Sequence, residues 1–279
     1  MTEAHIAKKR YGVLALLMSL FSPGLGFLYS GAWWLAITIP LLMILLVVGF
    51  ALSEWIFAPY GILGLLASLF LIYVSSSVLA FFSARKRSPS RIHFFQHWVV
   101  YLFFIISFFS IQLIFKELRP SWLGYEAFRL PSRSMAPSLI PNDFVVADTE
   151  AYENDLPKRG DIIVFSRPDK VGVKFTKRVI AIEGDTLKIQ RGQILVNQKA
   201  VFEPYVKAQY NQRSGLLSIE AIKVPKGTVY VLGDNRDNSF DSRYFGVVKA
   251  HWLYGRVRAL WFSYDKKRGF IRWKRLQRF

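Results

Sequence analysis

Between Arg10 and Arg85 the sequence holds one charged residue, Glu54. A water-soluble domain does not run 74 residues (11–84) on a single charge, because its surface has to be polar somewhere. Three apolar stretches lie in and just after this region: Ile37–Leu52 extended by Trp33 and Trp34, Ile62–Phe82, and Trp98–Phe115. Each has about the length a helix needs to cross a bilayer core. Trp33, Trp34, Trp55, Trp98 and Trp122 fall at or near stretch ends, where indole favours the interface. The expectation is a membrane region over residues 1–116, with spans near 33–53, 60–83 and 97–115.

The preceding segment, Tyr11–Ser30, contains "SPGLGFLYSG", and Pro23, Gly24 and Gly26 interrupt a helix about halfway along it. It reads as a re-entrant element or an additional span. The basic clusters Lys8-Lys9-Arg10 and Arg85-Lys86-Arg87 with Arg91 favour a common cytoplasmic side. An even number of crossings then separates them, so three crossings are favoured over four. The last span delivers everything after Lys116 to the outer face. No small-residue cleavage site follows an isolated apolar run, so the segment is not read as a cleavable leader.

From Ser121 on the texture changes. Short β-branched and aromatic runs (Phe144–Ala147, Asp161–Phe165, Phe175–Ile182, Thr186–Ile189, Gln193–Val196, Thr228–Leu232, Leu253–Phe262) alternate with Gly, Pro and Asp turns. That pattern predicts a mostly-β domain over residues 117–265. The fold class expected is thus a multi-span α-helical membrane region followed by a mostly-β extracytoplasmic domain. Residues 266–279, "KKRGFIRWKRLQRF", read as a basic tail, with Phe270, Trp273 and Phe279 interleaved so that it could lie on anionic headgroups. A solvated tail is the equal alternative.

Several chemistries are excluded early. There are no cysteines, hence no thiol nucleophile, no disulfide framework and no Cys-ligated zinc. Of the four histidines, His5, His93 and His97 fall on the membrane half, and His251 sits in the strand-like "VVKAHWLYG", where it reads as a core or surface residue. The net charge of +18 raises the possibility of a nucleic-acid binder, but the basic domain lies beyond the membrane and has no recognised binding motif.

A serine hydrolase without a histidine needs another base. "LPSRSMAPSL" at Leu130–Leu139 holds three serines in a loop punctuated by two prolines. A lysine can serve as base when burial lowers its pKa towards neutrality. "VGVKFTKRVIAIEGD" offers Lys174 and Lys177. Strand alternation sets Lys177 with Phe175, Val179 and Ala181, and Lys174 with Thr176, Arg178 and Ile180. Taken alone, Lys177 reads most simply as a solvated charge on an edge strand. "VLGDNRDNSFDSRYFG", Val231–Gly246, packs charged and amide side chains after an apolar strand. It fails as a calcium loop, because Arg236 occupies the third ligand position counted from Asp234, and Ser242 the turn position that needs glycine counted from Asp237.

These three stretches, in this order and after membrane spans, resemble the type I signal peptidase family, through "PSRSMAPSL", "KFTKRVIAIEGD" and "GDNRDNSFDSRYFG" over about residues 116–265. The resemblance implies a membrane-bound serine endopeptidase that removes signal peptides. Ser134 would be the nucleophile and Lys177 the general base. Ser239 would orient the lysine, and Ser132 with the Ser134 amide would form the oxyanion hole. Asp241 and Arg243 would form a supporting ion pair, with Leu130, Pro131 and Thr176 lining substrate pockets. It implies no metal or cofactor, preprotein substrates, a monomer, and an inner-membrane, multi-pass location. The alternatives are a specialised peptidase serving one secretion or pilin system, and a non-catalytic membrane assembly protein. Glu183 and Ala181 ("AIEGD"), Thr176 and Arg133 depart from the family pattern, which leaves subsite preference open.

Overall fold

Ser22, Pro23 and Gly24 separate α1 (Gly12–Phe21) from α2 (Leu25–Ser30) in the computed structural model, which describes residues 10–58, 60–86, 97–167 and 170–279. Lys8, Lys9, Arg87, Arg91, His5 and His93 lie outside the described residues. Gly24 adopts φ +103°, and a Cβ there would stand 2.6 Å from the Ala36 carbonyl oxygen. That carbonyl belongs to α3 (Trp33–Ala51), where Pro40 supplies no N–H to it. At 10 and 6 residues, α1 and α2 are each too short to cross a bilayer.

Among the described residues, two helices are long and apolar enough to cross: α3, and α4 (Gly61–Lys86). Leu45 of α3 and Leu71 of α4 are among many apolar side chains that stay exposed, which water would disfavour. Within α4, the Ser75, Ser76 and Ser77 hydroxyls donate to carbonyls of the preceding turn, so the polar atoms of an apolar helix are satisfied locally. A further helix, α5, spans Trp98–Leu123. The boundary expected after residue 116 falls inside it, and the helix continues past Pro120, which supplies no N–H to the helix ladder. The chain divides into two compact units between Arg119 and Pro120.

The second unit is built on β11 (Leu253–Asp265), a 13-residue strand. One sheet runs β1 (Tyr125–Arg129), β2 (Asp143–Asp148), β11, β3 (Ile162–Arg167), β4 (Lys170–Ala181), β9 (Thr228–Leu232), β10 (Val248–Lys249), with neighbours antiparallel. A smaller four-stranded sheet is formed by β7 (Lys199–Ala200), β6 (Gln193–Val196), β5 (Thr186–Gln190) and β8 (Ile219–Lys223). The apolar faces enclose contiguous cores, one of which joins Ile163, Phe165, Val179, Val229 and Val231.

Residues 266–279 do not form a tail. β12 (Phe270–Ile271) and β13 (Gln277–Arg278) both pair with β11, and Leu276 is buried. Backbone pairing with β11 and the inward packing of Leu276 and Phe279 hold this segment to the sheet.

Candidate active site

The loop between β1 and β2 carries Ser134. Its base is closed by Leu130 N–H donating to Asp143 O and Asn142 N–H donating to Leu130 O, both at 2.9 Å. Met135 and Leu139 pack into the core beneath it. Buried residues on either side of the turn thus hold a mostly exposed Pro131–Arg133 segment at the surface. Ser134 itself is 8% exposed.

β4 brings the lysine. It lies between β3 and β9 rather than at a sheet edge, so Lys177 is not the solvated charge its residue type suggests. Lys177 pairs with Ile163 across β3 and is 4% exposed. Its Nζ stands 2.9 Å from Ser134 Oγ and donates to the Thr176 carbonyl at 3.2 Å. Burial is the main influence on its pKa, which falls from 10.5 to about 8; the charges of Asp241 and Asp234 oppose the fall in part. The ammonium is disfavoured because few groups replace its lost hydration. A nucleophile and base within 3.2 Å, with the base titrating near neutrality, can carry out acyl transfer.

The polar run after β9 holds the serine loop from the other side. Asn235 N–H donates to Ser134 O at 3.0 Å, and Asn235 Nδ2 to Arg133 O at 3.2 Å. Gly233 makes this approach possible, since a Cβ there would lie 2.4 Å from Ser134 O and 2.2 Å from Ser239 Oγ. Asp241 takes a two-point contact from Arg243, at 2.8 and 2.9 Å, and also accepts the Gly233 N–H at 3.0 Å. Arg178, next to Lys177 but on the other face of β4, pairs with Asp234. Arg236 pairs with Glu203. On the exposed stretch of β4, Lys174 pairs with Glu126 and lies over the Tyr254 ring. His251 is exposed on the turn Ala250–Trp252.

Of the residues expected at the site, Ser134, Lys177 and Ser132 come together. Ser134 N–H donates to Ser132 Oγ at 3.1 Å, so the two groups expected to donate to one oxyanion are neighbours, but the amide is engaged by the hydroxyl and has to release it to reach an oxyanion. Ser239 departs from expectation. Its Oγ is buried with no hydrogen-bond partner among the described residues, and the second contact of Lys177 is the Thr176 carbonyl instead. Leu130 also departs. It is buried with Met135, Leu139 and Val145, so it supports the loop as core and does not line an open pocket. Pro131 is exposed and Thr176 partly so. Glu183 is accounted for locally, accepting the Gly227 N–H at 2.8 Å.

Sequence reasoning missed Asp143, Asn235 and Arg275 as members of the site. Asp143 is fully buried and accepts the Ile140 N–H at 2.8 Å and the Ser263 hydroxyl at 2.6 Å. An acid at the start of a strand, in "PNDFVV", was the available signal for it. For Arg275 no local signal exists.

Known proteins with similar sequences carry the same label. A probable signal peptidase I-2 of Synechocystis sp. is 38% identical over 137 residues, 47% of this chain and 61% of that protein. Signal peptidase I U of Bacillus subtilis is 38% identical over 140 residues, 48% of this chain and 69% of that protein. The crystal structure of a signal peptidase I from Enterococcus faecalis is 32% identical and covers 37% of this chain and 97% of that one, with a TM-score of 0.32. The matches thus span roughly two thirds of the relatives' own lengths. A family model described as signal peptidase, peptidase S26, matches residues 96–262, more than half of the chain, and the protein belongs to that family.

Proposed function

We propose that this protein is a membrane-bound serine endopeptidase that removes N-terminal signal peptides from exported preproteins. The observation that carries this reading is the 2.9 Å approach of Lys177 Nζ to Ser134 Oγ, with Lys177 buried and its pKa lowered to about 8. Neutral Lys177 takes the proton of Ser134 as Oγ attacks the scissile carbonyl. The Ser134 amide, on giving up its bond to Ser132 Oγ, and the Ser132 hydroxyl donate to the oxyanion, which in a dry site contributes about 3–4 kcal/mol. The Lys177 ammonium then returns the proton to the leaving amine, and the same lysine activates water against the acyl-enzyme. Ser239 orients the lysine once substrate is bound, and Asp241 with Arg243 steadies the frame. Pro131 and Thr176 border the substrate cleft.

The helical unit tethers the enzyme where its substrates arrive laterally in the bilayer. We read α3, α4 and α5 as three crossings, with the α1–α2 element re-entrant. This puts the peptidase unit on the extracytoplasmic side of the inner membrane, where it acts as a monomer. Phe270 and Trp273 are exposed beside Lys266, Lys267, Arg268 and Lys274, a combination suited to anionic headgroups.

The test is cleavage of a signal-bearing preprotein by the purified full chain in detergent, with the product's new N-terminus sequenced. Ser134→Ala and Lys177→Ala should each abolish cleavage while leaving the melting temperature within a few degrees or higher. Normal cleavage by Lys177→Ala sinks the proposed pair.

A further inference from the structure

Residues 263–279 follow the segment that carries the family likeness, yet they close on the loop that bears Ser134. β12 and β13 pair with β11 at Tyr264–Asp265 and at Ala259–Leu260, and the turn Trp273–Arg275 lies between them. That turn directs Arg275 at the serine loop. Its Nη2 donates to the Ser138 carbonyl at 3.0 Å and to Asp143 Oδ2 at 2.7 Å, and its Nη1 to the Pro137 carbonyl at 3.3 Å. Asp143 is fully buried and holds the Ile140 N–H through the same oxygen. One guanidinium therefore spans the loop from just after Ser134 to the start of β2.

The loop's other side is already held by Asn235, through the Ser134 and Arg133 carbonyls. Arg275 supplies the opposing hold. Without it, two carbonyls lose their donor and a buried carboxylate loses a close cation partner. The loop would then be free to shift on the Ser134 side relative to β4. A displacement of about 1 Å at a reacting atom costs on the order of 100-fold in rate. The hold suits arginine, since a planar fork serves a carboxylate and two carbonyls from two separated nitrogens, whereas an ammonium must reach all three from one.

We propose that Arg275 is a positioning residue, fixing the Pro137–Ser138 backbone and thereby the place of Ser134 Oγ against Lys177. The proposal rests on the reading of Ser134 as nucleophile.

The test uses the full chain in detergent and a signal-bearing preprotein, with kcat, KM, the pH profile and the melting temperature measured for Arg275→Met and Arg275→Lys beside Ser134→Ala. In Arg275→Met, kcat is expected to fall by roughly 10–100-fold, with KM within about twofold. The profile should keep its midpoint near pH 8, because the surroundings of Lys177 are untouched. Arg275→Lys should recover part of kcat. Wild-type kcat in folded Arg275→Met, or a raised KM with kcat unchanged, overturns the proposal. Should Arg275→Met not fold, Arg275→Lys decides: a several-fold loss of kcat at unchanged KM supports positioning, and wild-type kcat overturns it. An active Ser134→Ala overturns the nucleophile assignment instead, whatever Arg275 does.

Discussion

Arg178 presents Nε and Nη2 to the two carboxylate oxygens of Asp234, at 2.9 and 2.7 Å, with Asp234 fully buried. Its neighbour Lys177 is also buried and has no carboxylate in contact among the described residues. Two adjacent basic residues on one strand thus sit in opposite surroundings. The paired arginine ties β4 to the polar run after β9. The unpaired lysine is driven towards neutrality and left able to accept a proton.

Removing one partner of the Arg178–Asp234 pair should be costly. Asp234→Ala leaves a buried guanidinium uncompensated, with an expected loss of about 3–5 kcal/mol. The double variant Arg178→Met/Asp234→Leu should recover most of that stability. Thermal melts of the purified chain read both, and equal losses in the single and double variants would refute the argument.

Activity should rise with pH. Lys177 acts as a base only when neutral, and its pKa is lowered to about 8. The value of kcat/KM is therefore expected to climb about tenfold per unit well below pH 8 and to level off above it. A profile that is flat between pH 6 and 9 would exclude Lys177 as the base.

The same burial lowers stability. Folding depresses the pKa of Lys177 from 10.5 to about 8, so between these values the unfolded chain binds the extra proton and stability increases as pH rises. Below about pH 8 the cost is fully present, on the order of 3 kcal/mol. Lys177→Met should accordingly melt several degrees higher at pH 7, and should lose the wild-type gain in stability between pH 8 and 10. Melting curves across that range check the sign, and a lower melting point at pH 7 would contradict it.

Ser239 separates stability from catalysis. Its buried hydroxyl has no partner among the described residues, so Ser239→Ala should leave the melting temperature unchanged or slightly raised. If the hydroxyl orients Lys177 in the substrate complex, kcat should fall by roughly 10–100-fold. Unchanged kcat would remove Ser239 from the mechanism.

Substrate range is decided in cells. Depletion of a general peptidase should cause many uncleaved precursors to accumulate in the membrane proteome. Accumulation of one or two would mark a dedicated enzyme.

The chemistry-bearing groups were readable from local residue order. Ser134 follows a proline-bounded turn, Lys177 alternates with Phe175 and Val179, and Pro23 and Gly24 break the first helix, because residue type and short periodicity control these features directly. What the alternation of β4 could not show is that the strand is internal. That depends on β3 and β9 flanking it, and it converts a solvated lysine into a neutralisable one. Leu130 looked like a cleft residue because it adjoins the serines, but only packing shows that it points into the core. The hold of Arg275 on the serine loop joins groups up to 138 residues apart in the chain. A basic residue in a basic segment carries no local mark of its partner. Charge pairing across a fold is set by which strands return to which edge, and that is decided only when the whole sheet assembles.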